Sequence, residues 1–176
     1  FREDLDGVAY DNDFIFDVLP WNFEPSELGS AFGLVQLSKL GVNYKRRHQI
    51  FDAFSAAFGA YPELFRLPKP LEGFYTAWLC YPVTIREDAG FARGDLQESL
   101  EGAGIDTRTV WSGNVTRHPM MRNVEYRIPE GGLPFADEVF ERGMSLGMST
   151  GMSDEELDHV VASIHAFASK FATAKQ

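Results

Sequence analysis

The densest group of polar side chains in the sequence lies between Thr107 and Pro119, in TRTVWSGNVTRHP. It places guanidinium, amide, imidazole and hydroxyl groups around one tryptophan, Trp111. A loop of this composition that leaves a strand suits recognition of a polyol, a sugar or a diphosphate, because guanidinium groups bind phosphate oxygens in pairs. A polar surface loop without a ligand is the alternative. The candidate substrate-binding residues are Arg108, Asn114, Arg117 and His118.

A second candidate is Asn22, which directly precedes a predicted helix that begins with Pro25 in its first turn. The free N–H groups of a helix start attract anions, so Asn22 and this helix could face a phosphate group. Capping is the other interpretation of Asn22. Gly29 and Gly33 follow one turn apart on the helix and indicate close approach of another backbone or of a second subunit, or tight internal packing.

Other kinds of site are absent from the sequence. It has no GxSxG, P-loop or GxGxxG motif and no paired-carboxylate site. The acidic run at Asp11 to Asp17 has Phe16 and Asn22 where a calcium loop needs glycine and glutamate. The four histidines do not assemble, and Cys80 is the single cysteine. We therefore expect no metal site and no complete set of catalytic residues in this chain.

Composition limits the class of protein. The 176 residues suffice for one domain with a real core, and the net charge of −10 argues against a nucleic-acid partner. No stretch is apolar enough to span a membrane, and the chain opens without a signal peptide. A single cysteine suits a reducing compartment, so we expect a cytoplasmic protein. The chain opens at Phe1 without a predicted turn or helix cap, which is typical of the middle of a longer protein.

The hydrophobic pattern predicts alternating helices and strands. The last helix is the clearest, with Ser153 and Glu156 as a capping box before a continuous apolar stripe. A long strand is predicted from Tyr75 to Ile85, with Pro82 marking an edge or a bulge. The pattern predicts an α/β fold with two layers, in which helices cover a small, partly antiparallel sheet. Further helices are predicted from Val42 to Phe58 and around Leu96 and Leu100, with a strand at 106–113. Another helix is predicted from Pro134, with Ala136, Val139 and Phe140 in the core.

Four segments are similar, in this order, to the C-terminal part of the DegT/DnrJ/StrS family of nucleotide-sugar aminotransferases and dehydratases. They are PWNFEPSELGSAFGLVQLSKL, RRHQIFDAF, GIDTRTVWSGNVTRHP and GMSLGMSTGMSDEELDHVVASIHAF. The SGN-x-x-R-x-P segment is closer to the NDP-4-keto-6-deoxyhexose 3-dehydrases than to typical sugar aminotransferases. The resemblance implies a fold-type I enzyme dependent on pyridoxal phosphate (PLP) or pyridoxamine phosphate (PMP), of which this chain contains the small C-terminal domain.

The resemblance also implies roles for particular parts of the chain. Asn22 occupies the position of the asparagine that reaches across a homodimer to the cofactor phosphate, with Trp21 where tyrosine is usual. Residues 1–40 would belong to the large domain and dimer interface, and residues 41–176 to the small domain. The cofactor-binding N-terminal half, with the catalytic lysine or histidine, would be absent. None of the lysines present occupies the Schiff-base motif.

The implied function is C-3 deoxygenation of an NDP-4-keto-6-deoxyhexose in the biosynthesis of a lipopolysaccharide or antibiotic sugar. Sugar transamination is the alternative within the family, and a non-catalytic α/β ligand-binding or interaction module is the alternative from another class. A reductase partner is possible in this scheme, and an iron–sulfur cluster is undecided, because Cys80 does not match the cluster positions. The isolated chain is expected to be inactive.

Overall fold

A computed structural model describes residues 2–5, 8–11, 21, 23 and 25–172. The chain divides into two compact units, Phe1–Leu40 and Gly41–Gln176. Assignment of the first unit to a large domain and a dimer interface stays a prediction. Among the described residues, no helix combines the length and the hydropathy needed to cross a membrane.

The first unit contains a two-stranded antiparallel pair that the sequence analysis did not predict. Strand β1 (Arg2–Leu5) pairs with β2 (Val8–Asp11), with Arg2 opposite Asp11 and Leu5 opposite Val8. The expectation that the chain opens without a turn was therefore wrong. The missed signal is the Asp-Gly dipeptide between the strands, a pair of residues strongly preferred in two-residue hairpin connections.

The two helices predicted before residue 60 are one continuous helix, α1 (Glu27–Gly59). No proline lies between the two predicted segments, and the single Gly41 costs only about 1 kcal/mol relative to alanine. The side-chain oxygen of Ser26 accepts a hydrogen bond from the Gly29 backbone N–H at 3.4 Å, at the start of the helix. In the last third of α1, Ile50, Phe54 and Phe58 are fully buried.

The second unit is built on a four-stranded sheet in the order β3-β4-β6-β5. Every pairing in it is antiparallel. Its strands are β3 (Phe65–Arg66), β4 (Cys80–Ile85), β5 (Thr107–Thr109) and β6 (Gly143–Gly147). The small sheet of the predicted α/β fold is thus confirmed, although both β4 and β5 are shorter than their predicted strands.

Strand β4 has the predicted alternation of core-facing residues, over a shorter segment than predicted. Tyr81, Val83 and Ile85 alternate into the core, as their spacing predicts, whereas Tyr75 lies outside the strand and is exposed. Pro82 is opposite Ser145 of β6, and β3 pairs only with Thr84 and Ile85. On its β3 side Pro82 therefore needs no N–H, which matches the predicted edge position.

Strand β6 was not predicted from the sequence, because its segment is rich in small residues. Gly143 and Ser145 have low strand propensity, so local pattern did not reveal a strand that pairs on both sides. The glycine is required by packing, since a Cβ at Gly143 would lie 2.6 Å from the Val139 carbonyl oxygen. Met144 and Leu146 point into the core and are at most 2% exposed.

Helices α2 (Arg93–Gly102), α3 (Pro134–Arg142) and α4 (Asp154–Ala172) complete the unit. The capping box of α4 is confirmed, with reciprocal Ser153–Glu156 bonds of 2.7 and 3.1 Å. In α3 the predicted core residues are only half-buried: Ala136, Val139 and Phe140. One apolar cluster joins the end of α1, the inner face of the sheet, α2 and α4.

Candidate functional site

The polar segment singled out in the sequence begins on β5, which is anchored to α2. The Thr107 hydroxyl accepts a hydrogen bond from Gln97 Nε2 at 3.0 Å and donates one to Glu101 Oε1 at 2.6 Å. Thr107 is buried, so these bonds fix the start of the strand. The next residue, Arg108, is on the outer side, with its side chain 75% exposed and a loose 3.7 Å ion pair to Asp106.

After β5 the chain forms a compact loop, residues 110–118, called the Trp111 loop below. Its anchor is Asn114, which is only 3% exposed. The Asn114 Nδ2 donates to Asp137 Oδ1 at 2.9 Å, and its Oδ1 accepts from the N–H and the hydroxyl of Thr116 at 3.1 and 2.7 Å. Both ends of this amide are used inside the protein, so Asn114 joins the loop to α3.

The two other candidates of the loop, Arg117 and His118, also lie beside α3. Arg117 Nη1 lies 2.9 Å from Asp137 Oδ1 and 3.6 Å from Glu141 Oε1, and its guanidinium carbon is 5.1 Å from the Phe140 ring centre. The His118 Nε2 is 2.9 Å from the Ser112 carbonyl oxygen. Arg117 is about half exposed and can offer a further donor to an anion, whereas His118 uses its Nε2–H on the Ser112 carbonyl oxygen.

The Trp111 loop packs closely against α3 at Gly113. Gly113 has a φ of +58°, and a Cβ there would lie 2.5 Å from Phe140 Cα. Arg93 of α2 holds the other side of this contact, since its Nη1 donates to the Phe140 carbonyl oxygen at 2.6 Å. Helices α2 and α3 therefore clamp the base of the loop.

Trp111 itself is held in an unusual conformation. Its φ of +43° is the only positive value at a non-glycine residue among those the structure describes. The Thr109 hydroxyl donates to the Trp111 carbonyl oxygen at 2.9 Å, and the side chain is 84% exposed. Beside it lies a cavity of about 140 Å³. The cavity is lined by Arg93, Thr109, Val110, Trp111, Ser112, Gly113, His118, Val139 and Phe140.

The electrostatics of the site centre on Asp137. Hydrogen bonds from Asn114 and from Arg117 to its carboxylate hold the pKa of Asp137 below its usual range. An ionised Asp137 keeps the loop attached at neutral pH. Across the described part of the chain, no three His, Cys, Asp or Glu side chains are grouped so that they could hold a metal ion.

The structure thus brings Asn114, Arg117 and His118 into one braced loop, with Arg108 on the strand that leads into it. Asn22 lies outside the described residues, so its predicted cofactor contact stays a prediction. The substrate contacts also stay predictions. The bracing residues Arg93, Asp137 and Phe140 were not identified as part of the site from the sequence, because they lie on helices distant in the chain and carry no motif.

The SGN-x-x-R-x-P segment, which resembles the 3-dehydrases in sequence, is therefore a folded loop held by contacts with α2 and α3.

A model of the DegT/DnrJ/EryC1/StrS aminotransferase family matches residues 5–165. The chain belongs to this family. It is 34% identical over 162 residues to dTDP-4-dehydro-2,6-dideoxy-D-glucose 3-dehydratase of Saccharopolyspora spinosa, covering 92% of this chain and 35% of that protein.

Solved structures give the same fold. Escherichia coli GDP-4-keto-6-deoxy-D-mannose-3-dehydratase with bound hydrated PLP superposes with a TM-score of 0.74 at 24% identity, covering 86% of this chain and 38% of that one. The aminotransferase from Psychrobacter cryohalolentis superposes with a TM-score of 0.80 at 15% identity, covering 96% and 44%. The chain spans little more than a third of the length of its curated relatives.

Proposed function

We propose that this chain is the C-terminal portion of a PLP- or PMP-dependent enzyme that removes the C-3 hydroxyl of an NDP-4-keto-6-deoxyhexose. The observation that carries the proposal is the 34% identity to a sugar 3-dehydratase over 92% of the chain. The family match over residues 5–165 supports it. The enzyme would act in the cytoplasm, where nucleotide sugars are made.

The division of labour in this proposal follows from what the chain contains. The cofactor supplies an electron sink for bond cleavage next to the reacting carbon, and the protein supplies orientation and proton transfer. In this proposal the catalytic lysine or histidine would lie in a part of the enzyme outside this chain, as the family resemblance implies. Asn22 would hold the cofactor phosphate of the partner subunit in a homodimer.

The contribution of the described residues is to bind the nucleotide-sugar. In a chain of net charge −10, Arg108, Arg117 and His118 present cationic or donor groups along one strand and its loop. Arg108 is the most available of them, because its side chain is 75% exposed and its contacts among the described residues are a 3.7 Å ion pair with Asp106 and a hydrogen bond to the Thr107 carbonyl oxygen. Diphosphate oxygens are the partners that such guanidinium groups prefer. Asn114 would act by positioning the loop, since its amide is already bonded at both ends.

Sugar transamination is the second candidate, favoured by the matching family model, which describes an aminotransferase family. One experiment separates the two. The protein in its full natural length is incubated with PLP, reduced with borohydride and examined by mass spectrometry for a pyridoxyl-lysine adduct. The same preparation is given an NDP-4-keto-6-deoxyhexose, and the sugar product is analysed.

Bound cofactor without a lysine adduct, together with loss of the C-3 hydroxyl, supports the dehydratase. An adduct on a lysine with an amino sugar as product would establish the aminotransferase instead. If neither PLP nor PMP binds, the enzymatic proposal is wrong and the non-catalytic binding module becomes the better interpretation. The reductase partner is tested by whether turnover needs an added electron donor.

A further inference from the structure

The exposed indole of Trp111 is the least explained feature of the site. A large side chain in the left-handed region is disfavoured by contact of its Cβ with the backbone, and such strain persists only where the surroundings enforce it. In this loop, three contacts hold the backbone around Trp111 in place. Thr109 holds the Trp111 carbonyl at 2.9 Å, Gly113 is pressed on Phe140, and Asn114 anchors the loop to α3.

Burial of the indole does not compensate for this strain, because the side chain is 84% exposed. A glycine would adopt φ +43° without penalty, as glycines do at Gly90 and Gly104. The loop therefore presents a flat aromatic surface to solvent at a position where a smaller residue would fold more easily. An exposed aromatic ring on a backbone that is held in place is typical of a surface that stacks on a ligand.

The position of Trp111 limits the kind of ligand. It lies three positions after Arg108 in the chain, a backbone span of at most about 10 Å. This distance is comparable with the separation between the base and the phosphates across the ribose of a nucleotide. Arg117 and His118 follow on the same loop, so donors for anionic oxygens lie on both sides of Trp111 in the chain. A ligand with both an anionic and a flat aromatic part fits this arrangement.

We propose that the Trp111 indole is a stacking platform for the nucleobase of the nucleotide-sugar. This inference rests on the proposed function. Stacking on an indole depends little on which base is present, so Trp111 would supply affinity for the nucleoside and leave the choice of base to other residues. The stacking proposal also predicts that a substitution at Trp111 weakens base binding without weakening phosphate binding.

The test is calorimetric titration of the full-length protein with dTDP, GDP and inorganic pyrophosphate. Trp111→Ala should weaken binding of both nucleoside diphosphates about tenfold or more, since one stacked base accounts for that much. The Trp111→Ala variant should bind pyrophosphate with the affinity of the unmodified protein. Trp111→Phe should keep most of the nucleotide affinity. Phe135→Ala, which removes another exposed aromatic ring, on α3, is the matched control and should bind all three ligands normally.

Trp111→Gly gives an independent readout. It should weaken nucleotide binding as the alanine variant does and yet raise the thermal midpoint by a few degrees, because the strained φ is relieved. A residue with a purely structural role would lower the midpoint.

Three results would overturn the inference. Unchanged nucleotide affinity in Trp111→Ala, while the unmodified protein removes the C-3 hydroxyl, would reject the platform and leave the proposed function standing. Equal loss of pyrophosphate and nucleotide binding would show a general distortion of the loop. A changed sedimentation coefficient with normal nucleotide affinity would assign Trp111 to an interface between subunits. If the unmodified protein binds neither dTDP nor GDP, both proposals fail together.

Discussion

Two polar clusters of the second unit are built in opposite ways. In the Trp111 loop, the buried amide of Asn114 is bonded at both ends and meets Asp137 together with Arg117. On α1, the Tyr44 hydroxyl, the Arg47 Nε and the His48 Nε2 are all buried without a hydrogen-bond partner among the described residues. The first cluster is fixed by directional polar contacts, and the second is not.

Ring packing holds the second cluster. The rings of Tyr44 and His48 are 4.5 Å apart, and each lies 6.4 Å from the ring of Tyr75. An unpaired buried polar atom loses its hydration and gains no bond in return. We infer that hydrogen bonding determines the shape of the Trp111 loop, whereas ring packing mainly arranges the Tyr44 cluster, in which Arg47 Nη1 makes one long hydrogen bond of 3.4 Å to the Ala77 carbonyl oxygen. The two clusters should therefore respond differently to removal of a polar group.

The largest expected effect in the braced cluster comes from Gly113→Ala. The added Cβ would lie 2.5 Å from Phe140 Cα in a backbone with φ +58°, so the loop must leave α3. We expect a loss of about 2–3 kcal/mol in the free energy of unfolding, measured by urea denaturation. Gly94→Ala is the control, because nothing lies within 4 Å of its Cβ position in α2. Equal stability of the two variants would show that the Gly113 contact is unimportant.

Asn114→Ala should have the next largest effect. It removes the bond to Asp137 and leaves the Thr116 N–H without its acceptor, at a site that is 3% exposed. A loss of about 2 kcal/mol is expected, with faster hydrogen exchange at the Thr116 amide. Asn123→Ala changes an exposed asparagine of a neighbouring 3₁₀ turn and should leave both quantities unchanged. Normal exchange at Thr116 in Asn114→Ala would contradict the anchoring role.

These two clusters also show where sequence reasoning succeeds. The stripe of Val160, Ile164 and Phe167 on α4 and the alternation of Tyr81, Val83 and Ile85 on β4 were predicted because their periods are local. The polar composition of the Trp111 loop was recognisable for the same reason. Each of these signals is contained in a stretch of at most about twenty residues of the chain.

What the sequence did not reveal depends on distant contacts. Asp137 is 23 residues from Asn114 and has no special neighbour in the chain, so nothing marked it as the anchor of the loop. Strand β6 is formed by pairing with β4 and β5 and by the closeness of Val139 to Gly143, which strand propensity does not record. The left-handed Trp111 is likewise imposed by its surroundings.

A smaller effect on stability should distinguish Tyr81, whose hydroxyl is hydrogen-bonded, from Tyr44, whose hydroxyl is buried without a partner among the described residues. The Tyr81 hydroxyl donates to Ser55 Oγ at 3.1 Å, whereas the Tyr44 hydroxyl has no partner among the described residues. Tyr81→Phe should therefore cost about 1 kcal/mol, and Tyr44→Phe should be neutral or slightly stabilising. Thermal unfolding of the two variants measures the difference. Destabilisation by Tyr44→Phe equal to that by Tyr81→Phe would show that the Tyr44 hydroxyl has a bonding role.

The smallest effect is a pH dependence confined to acid. Because bonds from Asn114 and Arg117 lower the pKa of Asp137 in the folded protein, the unfolded chain takes up this proton at higher pH than the folded one. The carboxylate therefore stabilises the fold fully above the unfolded pKa, about 4, and this contribution disappears as the pH falls through the folded value. Protection of the Trp111 loop against hydrogen exchange, corrected for intrinsic rates, should decline below about pH 4.

Asp137→Asn should lower this protection at neutral pH and flatten its dependence on acid, since no carboxylate remains to be protonated. Asp106→Asn is the matched control, because Asp106 is an exposed carboxylate in a 3.7 Å pair with Arg108 and should leave the profile of the loop unchanged. A decline in Asp137→Asn as steep as in the unmodified protein would assign the acid sensitivity to another group. In that case the loop would be held mainly by Gly113 and Arg93, and the polar bracing that separates it from the Tyr44 cluster would be secondary to packing.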